Sequence, residues 1–245
     1  MTTTRRFTVI HTNDFHNKLT AEKATALRRL KYETNALLVD AGDAVSAGNI
    51  TFHYTEPIYE LMNSAGYDAM TLGNREFHFS RAGLQSKVRQ AQFPVLCANL
   101  YSVSGDAPPV KSHALLEVGG CKVAVFGLTV AMITEKMKVR HASPFRFASP
   151  LKCARELVTE LRHNEKPDVV ILLSHCGLRT DKEIAQQVPG IDMIVGGHTH
   201  SVLEEGERVG DCMVVQAGSF ARFAGIVDVE VGDGTVVFKA KLVDL

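Results

Sequence analysis

Two aspartates, one asparagine and four histidines stand at the ends of short apolar runs in this sequence, and all seven can bind a metal. ThrValIleHisThrAsnAspPheHis ends in Asp14 and His16, LeuLeuValAspAlaGlyAsp in Asp43, and AlaMetThrLeuGlyAsn in Asn74. ValValIleLeuLeuSerHis ends in His175, and IleAspMetIleValGlyGlyHisThrHis in His198 and His200. Mixed imidazole and oxygen donors suit Mn, Fe, Zn or Co rather than a Ca or Mg cage. Seven donors are too many for one ion and suit two divalent transition-metal ions, with manganese placed first. Two such ions about 3.5–4 Å apart clamp an in-line displacement at phosphorus and bring the pKa of a water down towards 7.

Spacing says how the donors could be aimed. Asp14 and His16 are two residues apart, as are His198 and His200, and in an extended segment such pairs share a face. Asp43 follows Gly42, where the chain can turn sharply and bring the carboxylate inward. Its two oxygens make Asp43 the candidate bridge between ions, while Asn74 adds a neutral carbonyl oxygen that limits negative charge. Taken singly, Asp14 could cap a turn and Asn74 could follow Gly73 in a left-handed turn. The set as a whole favours metal. The remaining histidines (His11, His53, His113, His141 and His163) are read as structural, with His78 held open.

The positioning elements alternate between strand and helix, which argues an α/β fold. Strands are expected at 7–11, 36–40, 69–72, 94–98, 169–173 and 193–195, and helices at 21–32, 57–65, 82–90, 150–162 and 181–188. Segments 114–118 and 122–126 flank GlyGly, a hairpin signal. The C-terminal part turns all-β, at 213–216, 224–231 and 235–242. Ligands of an open α/β sheet bind beyond the carboxyl ends of its strands, so the donors are expected to gather at one face of one sheet. The two βα halves suggest two sheets face to face, flanked by helices, in a single domain over 1–245.

Composition limits the alternatives. Lys plus Arg and Asp plus Glu are 27 each, without the basic excess of a dedicated nucleic-acid binder. Clusters at Arg28, Arg29 and Lys31 and at Lys136, Lys138 and Arg140 read as solvated faces. Five scattered cysteines without a CxxC pair suggest reduced thiols, and Cys176 reads as a small buried hydrophobe. No long apolar segment precedes the first strand. A cytoplasmic protein without a membrane anchor is expected.

HisThrAsnAspPheHis, GlyAspAlaValSerAlaGly, GlyAsnArgGluPhe, SerHisCysGly and GlyGlyHisThrHis, in this order, resemble the calcineurin-like metallophosphoesterases. The likeness leans towards the 5′-nucleotidase and 2′,3′-cyclic-nucleotide phosphodiesterase branch and runs from Phe7 to about Val231, including ValGlnAlaGlySerPheAlaArgPheAlaGly. It implies a four-layer α-β-β-α sandwich and a two-metal hydrolase. By that pattern Asp14, His16 and His200 hold one metal, Asn74, His175 and His198 the other, and Asp43 bridges them.

The sequence departs from the family at GlyAsnArgGluPheHis, where GlyAsnHisGluPheAsp is usual. Arg75 replaces the histidine that approaches phosphate, and His78 replaces the aspartate that orients it. An arginine binds phosphate through paired donors but cannot yield its proton to a leaving alkoxide. His78 is the candidate substitute acid. Family nucleotidases commonly add a C-terminal domain that stacks the base, and none is expected here. Selectivity is then expected from loops such as Asn49–Glu56, Tyr101–Pro109 and Ala131–Phe147, or from a partner chain. Phe52, Tyr54 and Phe145 could stack on substrate or cover the core.

The expected function is hydrolysis of a small phosphomonoester or phosphodiester, with Asp43, Arg75 and His78 in catalytic roles. The alternative is a catalytically weakened metalloprotein that binds a phosphorylated ligand. Balanced charge disfavours a nuclease, and a sulfur ester is a further substrate the same two-metal chemistry could take.

Overall fold

Alternation along a strand sends neighbouring side chains to opposite surfaces, and in this chain both surfaces are apolar, as buried parallel sheets require. The computed structural model describes residues 4–46, 48, 55–232 and 234–245, and arranges these strands in two six-stranded sheets. Strands β1 (Arg5–Thr12), β2 (Leu37–Asp40), β3 (Ala69–Thr71) and β4 (Val95–Leu96) run parallel in the first sheet. Helices α1 (Ala21–Thr34), α2 (Pro57–Ala65) and α3 (Arg81–Val88) connect them. Next come β5 (Leu100–Ser102), the hairpin of β6 (His113–Val118) and β7 (Cys121–Thr129), and β8 (Phe145–Phe147), which pairs back onto β5.

The second half adds α4 (Pro150–Glu160), β9 (Val169–His175), α5 (Leu178–Gln187), β10 (Met193–Gly196), β11 (Glu207–Val209) and β12 (Cys212–Val215). The second sheet runs β11-β12-β10-β9-β7-β6, with four parallel central strands between antiparallel edges. A final hairpin, β13 (Phe223–Gly232) and β14 (Thr235–Asp244), returns to the first sheet beside β1.

Three apolar layers follow from the alternation. Val9, Leu37, Val39 and Ala69 meet Val125, Ile171, Leu173 and Val195 between the sheets. Ile10, Leu38 and Met70 face Leu27, Ile58, Met62 and Leu84 of the first helical layer. Phe126, Leu172 and Ile194 face Ala154, Leu157 and Ile184 of the second. This is the expected α-β-β-α sandwich. Local signals stop and start the helices: Thr20 and Ser80 cap α1 and α3, Pro57 opens α2, and left-handed Gly66 closes it.

Some expectations change. β5, β8 and β11 span three residues each, too short to leave a periodic trace, and were not expected. The helix expected to reach Arg162 ends at Glu160 and widens into a π-turn over Leu161–Glu165, closed by left-handed Lys166. Phe145 is fully buried, edge-on to Phe77, so it belongs to the core and cannot stack on substrate. Phe52, Tyr54 and His53, with most of the loop at Asn49–Glu56, lie outside the described residues. His11 is buried without a partner for Nδ1, and burial pushes its pKa down to about 3, a neutral core residue as expected.

Candidate metal centre

Every donor segment leaves the carboxyl end of a strand, but of two sheets rather than one. Asp14, His16, Asp43 and Asn74 follow β1, β2 and β3 of the first sheet, whereas His175, His198 and His200 end or follow β9 and β10 of the second. The site therefore lies across the seam of the sandwich.

The paired donors do not converge by strand alternation. Asp14, His16, Asp43, His198 and His200 all have positive φ, between 48° and 73°. Such conformations cost a residue with a Cβ about 1–2 kcal/mol and persist where surrounding bonds over-determine them. Here the Asp14, His16 and Asn17 amides donate to the carbonyls of Gly42, Asp43 and Ala44 at 2.9, 3.0 and 2.8 Å. Two glycines permit this closeness. A Cβ at Gly42 would lie 2.7 Å from the Gly73 nitrogen, and one at Gly73 would lie 2.6 Å from the Glu76 carboxylate.

Within this frame the donors form two adjoining groups. His16 Nε2 and His200 Nε2 are 3.0 Å apart and lie 3.7 and 3.3 Å from Asp14 Oδ1. Asn74 Oδ1 lies 3.1 Å from His175 Nε2 and 3.0 Å from His198 Nδ1, and Asp43 Oδ1 is 3.4 Å from His175 Nε2. His198 and His200 thus face different groups, against the simple two-residue rule. Asp14 also clusters with Asp43 and His175, which joins the groups.

The donor atoms fit divalent cations. Asp14 Oδ2 accepts from Asn13 Nδ2 at 2.8 Å and from the His198 amide at 2.9 Å. Its Oδ1 is buried without a hydrogen bond, which is costly for a carboxylate oxygen lacking a cation. His175 Nδ1–H donates to the Ala41 carbonyl at 2.8 Å, so the Nε2 lone pair faces Asn74 and Asp43. Burial opposes charge on His175, but contact with Asp43 and the charges of Asp43 and Asp14 raise it to about 9. Burial pushes Asp43 upward, and the same contact outweighs it and holds Asp43 below the usual carboxylate range. Burial lowers His16, and burial with the charge of His175 lowers His198. Without a cation the Asp43 carboxylate favours a proton on His175 Nε2, and a cation bound there would take that proton's place.

The two departures from the usual pattern sit differently. The Arg75 amide donates to Asp43 Oδ1 at 2.8 Å, its Nη1 to the Ser46 carbonyl at 2.8 Å, and its Nε lies 3.5 Å from Asp43 Oδ2. The Arg75 side chain is 39% exposed, so the guanidinium stands at the rim of the cluster. His78 is buried, stacked on Phe79 and packed on Gly83, and its Nδ1 accepts from the Ser80 amide at 3.0 Å. That bond puts its remaining proton on Nε2.

Several supporting residues were not expected. Buried Glu76 accepts from the Asp43, Gly73 and Val45 amides at 2.9, 2.9 and 3.1 Å, tying the Asp43 turn to the Asn74 turn. Burial and then the charge of Asp43 push its pKa up to about 7. Lys87, also buried, donates to the Gly48 and Arg75 carbonyls at 3.0 and 2.8 Å. Asn13 donates to the Gly218 carbonyl at 2.6 Å and accepts from the Ala217 amide at 2.9 Å, linking Asp14 to the chain before β13. Glu76 and Asn13 are adjacent in sequence to expected donors or Arg75, and that adjacency was the available signal. Cys176 packs in the outer apolar layer as expected.

The family model for calcineurin-like phosphoesterases matches residues 7–202. The chain is 35% identical over 273 residues to the trifunctional nucleotide phosphoesterase protein YfkN of Bacillus subtilis, covering 94% of this chain and 18% of that protein. It is 28% identical over 277 residues to a 5′-nucleotidase of Vibrio vulnificus, covering 95% of this chain and 50% of that protein. The chain therefore spans half or less of the length of these relatives. The crystal structure of the calcineurin-like phosphoesterase YfkN from Bacillus subtilis matches with a TM-score of 0.79 at 21% identity, over 99% of this chain and 91% of that one. That structural likeness bears on the fold alone.

Proposed function

The chain belongs to the calcineurin-like phosphoesterase family, and on that premise we propose that it hydrolyses small phosphoric mono- or diesters at a two-metal centre. The observation that carries this reading is the convergence of seven donor side chains on the buried, unpartnered Oδ1 of Asp14 and its neighbours. We assign Asp14, His16 and His200 to one ion and Asn74, His175 and His198 to the other, with Asp43 between them. Manganese is the first choice, and iron, zinc and cobalt suit the same donors. When bound, such ions polarise phosphoryl oxygens and lower the pKa of a water towards 7.

The protein's own groups set the rest of the chemistry. Arg75 brings a fixed positive fork to the rim, suited to two phosphoryl oxygens at once. It holds its proton throughout, so it stabilises charge and does not protonate the leaving alcohol. We assign His78 the acid role in its imidazolium form, with Ser80 Oγ at 2.9 Å to accept from the Nδ1 proton, since a neutral ring does not release its only N–H proton near neutral pH. Without an effective acid, rates on poor leaving groups fall about 10²–10⁴-fold, and activated esters become the preferred substrates. The names of the relatives support a nucleotide-like substrate. Unpaired cysteines accord with a cytoplasmic setting.

A second reading, a phosphate-binding metalloprotein of weakened activity, is favoured by one observation: Arg75, beside Asp43, is a group that cannot give up a proton. Manganese-loaded protein assayed on mono- and diesters with good and poor leaving groups separates the two readings, with Asp43→Asn protein as control. Hydrolysis that disappears in the control supports the enzyme. No hydrolysis with two metals bound moves the assignment to the binding protein.

A further inference from the structure

Phe220 combines three properties that rarely meet in one residue. It is 45% exposed, and among the described residues it is the one exposed phenylalanine. Its φ is 60°, followed by Ala221 at 53°, so two residues with side chains hold left-handed backbone in succession. Its ring lies beside two of the proposed ligands, with centroids 5.3 Å from His16 and 5.5 Å from His200.

The placement is fixed from several sides. The Phe220 amide donates to the Asp14 carbonyl at 2.9 Å, the Gly218 amide to the Ser201 carbonyl at 2.8 Å, and Lys23 Nζ to the Ala221 carbonyl at 2.6 Å. Asn13 holds the Ala217 amide and the Gly218 carbonyl. A strained backbone so heavily braced serves to hold its side chain where it is. Burial is not what it gains, because much of the ring remains in solvent. The imidazoles meet the ring tilted at 47° and at 77°, so neither stacks on it in parallel.

We infer that Phe220 is a specificity-determining residue, an aromatic platform beside the metal centre for a planar aromatic group carried by the phosphoryl substrate. This deepens the proposed function and rests on the same site. An aryl ester and a nucleotide both carry such a group. Stacking on one aromatic side chain is sequence-tolerant because every base offers a π-face, and its loss costs about 5- to 100-fold in affinity.

The test is calorimetric binding to manganese-loaded protein of two pairs that cannot be hydrolysed: phenylphosphonate against ethylphosphonate, and the phosphonates of 5′-AMP and of ribose 5-phosphate with CH2 in place of the ester oxygen. Wild type is expected to favour the aromatic member of at least one pair by about 5- to 100-fold. The preference should vanish in Phe220→Gly, which suits the left-handed backbone, and survive in Phe220→Tyr. Loss in the phenyl and ethyl pair places the ring near phosphorus, and loss in the nucleotide pair places a base there. Phe220→Leu, with bulk but no planar face, gives the same comparison if the glycine variant fails to fold. Equal affinities in wild type overturn the inference, as does a preference that survives in the glycine or leucine variant. Loss of bound manganese from Phe220→Gly also overturns it, because the ring would then support His16 and His200 instead. Phosphonate binding needs no turnover, so an inactive enzyme defeats the proposed function without deciding this point.

Discussion

Replacing Asn13 by alanine should damage the metal centre without touching any proposed ligand. The Asn13 side chain is buried and makes three bonds: to Asp14 Oδ2 at 2.8 Å, to the Gly218 carbonyl at 2.6 Å, and from the Ala217 amide at 2.9 Å. Asn13→Ala leaves one buried amide and one buried carbonyl unsatisfied, at about 1–3 kcal/mol each. It also removes a charge-assisted bond worth about 1.5–3 kcal/mol. Some water entry offsets part of this, so a net loss of about 3–6 kcal/mol is expected, a large share of the usual 5–15 kcal/mol total. Asp14 keeps only the His198 amide on Oδ2, and metal affinity should fall about 10–100-fold, as for other residues that orient ligands. Urea unfolding of metal-free protein reads the first quantity, and calorimetric manganese titration the second. A stability change below about 1 kcal/mol with unchanged manganese affinity would refute the reasoning, since buried unsatisfied groups cannot be that cheap.

Other substitutions test separate parts of the account. His175→Ala should reduce bound manganese from two ions to one per chain and abolish ester hydrolysis, read by elemental analysis and activity on the same sample. Removing the assigned acid with His78→Asn should lower turnover of alkyl esters about 10²–10⁴-fold, the share an acid contributes, and lower activated aryl esters less. An equal fall on both classes, or no fall, would take the acid role from His78. Asp181, which accepts from Ser174 behind His175, is pushed up to about 7 by burial. Its folded pKa lies above its unfolded one, so its contribution to stability is present at low pH and lost as pH rises through about 7. Asp181→Asn should therefore gain on wild type between pH 5 and 8, by on the order of 3 kcal/mol, in urea unfolding without metal.

The layers and the gathering of the seven candidate donors were legible because both are written locally. Continuous apolar runs such as Val169–Leu173 announce strands buried on two faces, and the donors sit where those runs stop. What could not be read was how the loops curl. Asp14 and His200 adopt backbone that residues other than glycine seldom take, a state set by bonds between distant loops rather than by local preference. The same bonds recruit Asn13 and Glu76, whose roles depend on amides at Ala217 and Asp43 far along the chain. Nor does spacing say that β3 and β9 belong to different sheets. Phe145 and Phe220 show the limit for aromatics: both lie near loops, yet one is buried and the other exposed.

The central claim is that these donors hold two metals at one seam. Anomalous diffraction at the manganese edge, from crystals of manganese-loaded protein, tests it most directly. The account predicts two peaks about 3.5–4 Å apart, one among Asp14, His16 and His200 and the other among Asn74, His175 and His198, with Asp43 between. A single peak, or peaks away from these residues, would contradict it.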